Sequence, residues 1–280
     1  MSDRIPAEER VAETALAGTR AAAGVGGTID NGSGLDGEVD DQYAELLTSL
    51  GRTEEDDERI AVHEAGHAVC ARLLGQPLGG ATINPDPYGS YGGLVWGPQH
   101  SVAIGKDDAA DVPDLCEKLR DMMPRDGEPR SDVADIYLHA LNRCVELAGA
   151  SVAERLLLEG EPVPSISDVE QAVGLASLCC KSAEAVERFL AFAEQQAFDL
   201  LYPHGPIIMA LSIVLKIRRT LTGAEIDDVI ATTVAGLELA AERRRRAEWR
   251  KGELAAQRFR DACDHADAAT VPRSAPVQMP

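Results

Sequence analysis

The sequence is poor in basic residues and has no long hydrophobic run. Its 280 residues include 27 Lys and Arg against 47 Asp and Glu, which gives a formal net charge of -20. Nucleic-acid binding through the body of a protein needs a basic face that neutralises phosphates, so this balance argues against it. The longest apolar run, residues 207–215, is too short to span a bilayer, so we expect no contact with a membrane.

Paired cysteine spacings and a basic-then-apolar signal segment are also missing. The absence of both features makes a reducing, cytoplasmic compartment the simplest expectation. We expect Cys70 to be a small core residue, although it lies one helical turn beyond His67. A metal or redox role for the adjacent pair Cys179 and Cys180 is not favoured, because neighbouring helical residues point in different directions. The six cysteines are Cys70, Cys116, Cys144, Cys179, Cys180 and Cys263.

Composition changes along the chain predict a central domain between two tails. Residues 1–40 are rich in Gly, Ala, Ser and Asp and carry no apolar period, which predicts a disordered leader. Residues 241–280 predict a basic helical extension that ends in a disordered tail. The four arginines at 243–246 are typical of a solvated helix face, and contact with an acidic partner is the alternative reading.

The central part, residues 41–240, has the pattern of a mainly helical domain with a small two-stranded β-ribbon. A helix is expected from Glu54 to Leu74, and the ribbon from residues 81–84 and 92–96. From Ser131 onward nearly every segment is helical by pattern, with interruptions at 160–165, 202–206 and 221–223.

The motif HEAGH at residues 63–67 carries the chemistry of this sequence. On a helix, positions i and i+4 share a face about 6 Å apart, so His63 and His67 can direct ring nitrogens at one ion. Glu64 lies about 100° around the helix axis from His63. At this position the glutamate of the motif holds a water and takes its proton. Gly66, in mid-helix, indicates close approach by another backbone or by a substrate. The motif therefore predicts a zinc site with Glu64 as general base.

Two histidines do not complete a zinc site, so a third ligand must come from elsewhere in the chain. Leu73 and Cys70 stand where a metzincin would have its third histidine and a glycine, which excludes that class. Asp168 is favoured because it follows Ser167, a predicted N-cap, at a helix start where the dipole favours a carboxylate. The other candidates are Asp132, Asp135, His139, Glu154 and Glu170.

Several segments occur together in an order known from one protein family. HEAGHAVCARLL is followed by ATINP, GGLV, LAGASVAERLLLEGE, SISDVEQAVGLA and RRTLTGAEIDDVI. With these segments, the chain from about Glu58 to about Ile230 resembles the peptidase domain of the FtsH-type ATP-dependent zinc metalloproteases. The resemblance implies a helical zincin-type fold with the β-ribbon near the metal.

The resemblance also implies roles for individual residues. His63, His67 and Asp168 match the metal ligands of that family, and Glu64 matches its catalytic glutamate. An extended polypeptide substrate would pair with a strand beside the metal, as in β-augmentation. In this chain that substrate strand would be formed by Gly92, Gly93, Leu94, Val95 and Trp96.

The chain departs from the family in its other modules. Family members carry an ATPase and membrane anchors ahead of the peptidase, and the residues ahead of His63 leave no room for either. A Walker A motif is absent, since Asp107 follows Lys106 and His100 stands at the position of the first glycine. Residues 98–131 look like an insertion relative to the family. The oligomeric state stays open, because the ATPase module that helps to build a ring is missing.

We therefore expect a cytoplasmic zinc metallopeptidase that hydrolyses flexible or unfolded polypeptides without an ATPase of its own. A separate ATPase or adaptor is a candidate partner for substrate delivery. Two alternatives stay open: a catalytically inactive, zinc-stabilised binding or regulatory module, and a narrow processing protease with a single target. Replacing Glu64 by Gln distinguishes the first alternative, because a binding module would keep its biological activity.

Overall fold

The described part of the protein is mainly helical and contains a small three-stranded antiparallel sheet. The computed structural model describes residues 36–85, 92–98, 116–117, 119–125 and 127–270. The chain divides into two compact units, Met1–Ser49 and Leu50–Pro280. Helix α1 (Asp36–Leu50) forms the described part of the first unit, so most of the predicted leader lies outside the described residues.

Helix α2 (Glu54–Leu73) carries the HEAGH motif, and its ends follow from local chemistry. Thr53 accepts a hydrogen bond from the Asp56 amide, and the Asp56 carboxylate accepts one from the Thr53 amide. This reciprocal capping box and four acidic residues in the first turn favour helix initiation at this point. Beyond the C-terminus, Gly75 has a φ of 74°, a left-handed conformation that stops the helix. The predicted helix over 54–74 is confirmed to within one residue.

The remaining elements follow in chain order. They are β1 (Gly80–Thr82), β2 (Leu94–Trp96), α3 (Ala134–Leu157), α4 (Ile166–Cys179), α5 (Ala183–Leu201), α6 (Gly205–Arg218), β3 (Thr220–Thr222) and α7 (Gly223–Thr270). Short 3-10 turns precede α3 at Ser131–Val133 and α6 at Tyr202–His204. One helix break was not predicted: Cys180 is extended after α4, and Ser182 caps α5 through the Ala185 amide.

The sheet has three strands instead of the predicted two. Its order is β2-β1-β3, and both pairings are antiparallel, with Ala81 opposite Val95 on one side and Leu221 on the other. The predicted ribbon is thus present as β1 and β2. At β3 the sequence predicts only a break between helices, because three residues are too short to show a period of two. Thr222 and Glu225 also form a capping box at the start of α7.

Helices α2 and α3 pack unusually closely around glycine. A Cβ added to Gly66 would lie 2.6 Å from the Ala153 Cβ and 2.8 Å from the Gly149 carbonyl oxygen. A Cβ on Gly149 would in turn lie 2.9 Å from the Cys70 Cβ. Gly66 therefore marks the approach of another backbone, one of the two predicted possibilities. Cys70 is fully buried against this contact, which confirms it as a core residue.

A buried ion cluster, formed by Arg52, Asp57 and Arg219, joins the start of α2 to the sheet. Asp57 is fully buried and accepts hydrogen bonds of 2.6 and 2.9 Å from the two Nη atoms of Arg219. Arg52 Nη1 approaches the same carboxylate at 3.4 Å. Arg219 has a φ of 66°, a left-handed conformation that costs a non-glycine residue about 1–2 kcal/mol. The contact with Asp57 offsets that cost.

The distal part of α7 covers the residues of the predicted extension as far as Thr270. The helix runs without interruption to Thr270, and residues 243–266 are exposed along its whole circumference. Arg245 and Arg246 pair with Glu242 on the same helix at 2.5 and 2.7 Å. These pairs fit a solvated helix face. Residues 271–280 lie outside the described residues, as do most of residues 98–131.

One stretch, Ala183–Arg218, has the length and mean hydropathy of a membrane-crossing helix, 1.6 over its most apolar window. This stretch consists of α5, a 3-10 turn and α6, so it is longer than the apolar run at residues 207–215. Residues of both helices, including Leu201, Ile208 and Leu211, belong to the hydrophobic core. Length and hydropathy are weak evidence here, because core helices meet the same criterion.

We predict that Gly66→Ala lowers the free energy of unfolding by about 1–3 kcal/mol. The added Cβ must push against Ala153 and the α3 backbone, which outweighs the gain of about 1 kcal/mol in helix propensity. Urea denaturation measures the difference. The matched control is Gly236→Ala on α7, where a Cβ meets nothing within 4 Å, so that only the propensity gain should appear. Equal stabilisation by both substitutions would contradict the close packing.

Candidate metal centre

His63, His67 and Asp168 form a group that could hold a metal ion. Their donor atoms all lie within 4.8 Å of one another. Asp168 Oδ2 is 3.1 Å from Nε2 of His63 and 3.3 Å from Nε2 of His67. The structure therefore brings together the three residues that the sequence analysis proposed as ligands.

Each histidine uses its other ring nitrogen to contact α3. Nδ1 of His63 lies 2.7 Å from Oε1 of Glu154, and Nδ1 of His67 lies 3.0 Å from the backbone carbonyl oxygen of Glu146. An N–H donated to these acceptors fixes the tautomer and leaves both Nε2 atoms directed at Asp168. Metal-binding histidines typically have such partners, a carboxylate or a backbone carbonyl, at the nitrogen away from the metal.

The α2–α3 contact positions these acceptors. Glu146 and Glu154 are eight residues apart on α3 and both are buried. Glu154 also accepts a hydrogen bond of 3.3 Å from the Val163 amide, which connects it to the segment that leads into α4. The sequence analysis names Glu154 only as a candidate ligand and misses this orienting role, and no side-chain pattern could have revealed the backbone contact of Glu146.

Asp168 lies in the first turn of α4, but the helix starts earlier than predicted. The N-cap is Ser165, whose hydroxyl accepts a hydrogen bond of 3.4 Å from the Asp168 amide. The prediction that Ser167 caps this helix is wrong. Ser167 is inside the helix and accepts a 3.0 Å hydrogen bond from Gln171. The predicted cap is two positions too late because Ser165 and Ser167 each precede an acidic residue by three positions, and that pattern alone does not distinguish them.

The other candidate ligands do not join the group. Glu154 contacts His63, but at the nitrogen on the far side from Asp168. The remaining four are exposed on α4 or on the segment that begins α3. They are Asp132, Asp135, His139 and Glu170. Cys179 and Cys180 are not part of any such group within the residues that the structure describes.

Burial and mutual contact shift the pKa values of the site residues in opposite directions. Burial alone would lower the pKa of His63, but hydrogen bonds with Asp168 and Glu154 outweigh it and raise the pKa to about 10. Burial alone would raise the pKa of Asp168, but the hydrogen bonds with His63 and His67 hold it well below its usual range. A proton held between these side chains would therefore compete with a divalent cation for the same position.

Glu64 is buried beside the group and faces the sheet. Burial raises its pKa to about 6, against the opposing effect of His67 and His63. A Cβ added to Gly93 would lie 2.4 Å from Glu64 Oε1, so the backbone just ahead of β2 passes directly over this carboxylate. Only glycine fits at position 93 without displacing Glu64.

The site opens into a cleft of about 690 Å³ between α2, α3, the start of α4 and the β2 segment. Gly92, Gly93, Leu94 and Val95 line one side of this cleft. Arg143 also lines it and pairs with Glu146. Four of the five residues predicted to form a substrate strand thus border the same cavity as His63, Glu64, His67 and Asp168.

The donor set fits a divalent transition metal. Two imidazoles and one carboxylate leave a further coordination position, the arrangement of catalytic zinc sites with three protein ligands. The hydrogen bonds at both Nδ1 atoms support this use of the histidines. The same types of ligand also suit other divalent transition ions, so the donor set does not by itself specify zinc.

Comparison with known proteins assigns the chain to no family. No protein-family model matches the chain, and no curated protein matches it in sequence. The motifs of the sequence and the geometry of this site are therefore what indicates a function.

We predict that Asp168→Ala abolishes retention of one metal ion per chain, because it removes the carboxylate that both Nε2 atoms face. Equilibrium dialysis against zinc, followed by metal analysis, measures the stoichiometry. Glu170→Ala is the matched control, since it changes an exposed carboxylate two residues along the same helix. Loss of metal in both variants would assign the effect to α4 as a whole and contradict the role of Asp168.

We predict that Glu154→Ala weakens zinc binding by about 10- to 100-fold without removing a ligand. The substitution leaves His63 without the acceptor that fixes its ring orientation. A competition titration with a chromophoric chelator gives the dissociation constant. Glu154→Gln keeps an acceptor oxygen and should bind zinc more tightly than Glu154→Ala. Identical affinities of the wild type and both variants would rule out this orienting role.

Proposed function

We propose that this protein is a zinc metallopeptidase that hydrolyses peptide bonds. The observation that carries the proposal is the position of the Glu64 carboxylate, which lies beside the His63–His67–Asp168 group and under the β2 segment in one cleft. We infer that the domain has the zincin-type peptidase fold of the FtsH-type family. The order of the sequence segments and the third ligand on α4 support this inference.

Each residue of the site has a role in this mechanism. His63, His67 and Asp168 hold the zinc, while Glu154 and the Glu146 carbonyl orient the two imidazoles. When bound, zinc supplies a Lewis acid that polarises a peptide carbonyl and acidifies water. Glu64 accepts the proton of the attacking water and delivers it to the leaving amine. Burial of Glu64 in the cleft wall keeps its carboxylate fixed for this transfer.

The sheet offers a binding mode for an extended polypeptide. Among the described strands, β2 is at one edge of the sheet and pairs only with β1. A substrate strand laid beside β2 would gain main-chain hydrogen bonds, and residues 92–95 of this segment line the cleft. Apolar side chains in the same cleft, including Ile60, Leu147 and Val163, would contact the substrate's side chains.

The substrate class follows from this binding mode. A peptide must be extended to lie along β2, so flexible or unfolded segments are the expected substrates. No Walker A motif occurs in the sequence, and a separate ATPase or adaptor in the cytoplasm is the partner that we propose for folded substrates. The acidic balance of the chain argues against nucleic acid as a ligand for its body.

We predict that Glu64→Gln abolishes cleavage of an unstructured protein such as casein while zinc stays bound. The amide cannot accept the proton of the attacking water, whereas all three ligands are retained. The measurement is the cleavage rate together with the zinc content of both proteins. Glu55→Gln, an exposed change on the first turn of α2, is the control and should leave the rate unchanged.

The possible outcomes separate the competing functions. Cleavage by the wild type alone, at equal zinc content, supports the peptidase. If both proteins hold zinc and neither cleaves casein, the broad peptidase is contradicted, and the alternatives are a binding module or a processing protease with one target. If neither protein holds zinc, the metal site itself is contradicted.

A further inference from the structure

The side chain of Arg52 connects three separate segments at the edge of the cleft. Its Nη1 donates a 2.5 Å hydrogen bond to the Ile83 carbonyl, just after β1. Its Nη2 donates another of 2.5 Å to the Gly92 carbonyl, two residues before β2. Arg52 itself precedes helix α2. The one guanidinium thus links the ends of both strands of the ribbon to the start of the helix that carries HEAGH.

The Asp57 carboxylate contacts the Arg52 side chain, and Arg219 fixes the position of that carboxylate. Arg52 Nη1 also contacts the Asp57 carboxylate, which Arg219 binds from a second direction at 2.6 and 2.9 Å. Arg219 extends further to the Asn84 side chain at 3.2 Å. The side chain of Arg52 is only 9% exposed, so little water competes for its hydrogen bonds. The buried ion cluster therefore orients Arg52 rigidly, because a planar guanidinium has fixed donor directions.

The residue that follows the Gly92 carbonyl lies against Glu64. Gly93 approaches Glu64 so closely that a Cβ would lie 2.4 Å from Oε1 and 2.7 Å from Cγ of that side chain. The height of the 92–93 backbone above Glu64 thus depends on a hydrogen bond made by Arg52.

We propose that Arg52 is a positioning residue that fixes the edge of β2 at the distance from Glu64 needed for a bound polypeptide to meet the metal group. This inference rests on the proposed peptidase function, and it assigns the buried ion cluster a role in substrate alignment as well as in stability. Arg52 touches neither the metal ligands nor the position of the reacting atoms. Its effect passes through Gly92 and Gly93.

The test compares Arg52→Met and Arg52→Lys with the wild type. Methionine keeps much of the apolar volume and removes both hydrogen bonds to the ribbon. Displacement of the β2 edge by about 1 Å should lower kcat/KM on an unstructured peptide by up to about 100-fold. Zinc content should not change. Lysine has one ammonium group and cannot bind two carbonyls in the geometry of a guanidinium, so Arg52→Lys should recover only part of the activity.

Arg72→Met is the matched control, because it removes an arginine from the other end of α2. Arg72 pairs with Asp227 at 2.7 Å, away from the residues that line the cleft. All variants are assayed under conditions where urea denaturation shows them fully folded. Amide hydrogen exchange over residues 92–96 provides a readout that needs neither metal nor cleavage. Exchange there should accelerate in Arg52→Met and stay at the wild-type rate in Arg72→Met.

Two results would overturn the proposal. One is unchanged exchange over 92–96 in folded Arg52→Met, and the other is unchanged kcat/KM in that variant. If the wild type cleaves no peptide, the peptidase function fails separately, and the affinity of the zinc-loaded protein for the peptide then decides the positioning role. In that case an Arg52→Met variant that binds the peptide as tightly as the wild type would overturn it.

Discussion

The close contact between α2 and α3 is the constraint on which the site depends. Gly66 and Gly149 let the two helices approach until backbone atoms touch side-chain atoms, and no larger residue fits at either position without a shift. At this separation, α3 acceptors reach both histidines of α2, one through the Glu154 carboxylate and one through the Glu146 backbone. A wider spacing would leave the imidazoles free to rotate, and their Nε2 atoms would no longer be aimed at Asp168.

The parts of the structure that follow from local signals were predictable. HEAGH specifies its own helix and face, and the first-turn carboxylate of Asp168 could be selected by its position at a helix start. Long-range pairings could not be predicted in this way. Strand β3 becomes a strand only because the α6–α7 junction lies beside β1, and Leu221 shows no strand period in the sequence. Ser165 was missed as a cap because two serines fit the same pattern. The zinc, the peptidase activity and the likeness to the FtsH-type family remain proposals.

Different residues of helix α2 contribute to the stability of the fold and to the candidate metal site. Its small apolar side chains fill the core, its first turn contributes Asp57 to the buried ion cluster, and its middle carries the two histidines and Glu64. Buried charge is costly unless it is paired, and every charged side chain buried on this helix has a contact of opposite charge or faces the cleft. Asp57 and His67 have their partners, Arg219 and Asp168, on other elements, whereas Glu64 faces the cleft.

The three residues of the candidate metal site are unequally spaced along the chain. His63 and His67 are one helical turn apart, whereas Asp168 follows His63 by 105 residues. During synthesis, α2 with both histidines is complete long before α4 exists, and the acceptors of α3 are made in the interval. Contacts between residues so distant in sequence form late, because the loop between them must first be closed. The three side chains of the candidate metal site thus come together only when α4 docks, so a nascent or truncated chain that ends before Asp168 carries the HEAGH motif without the complete group.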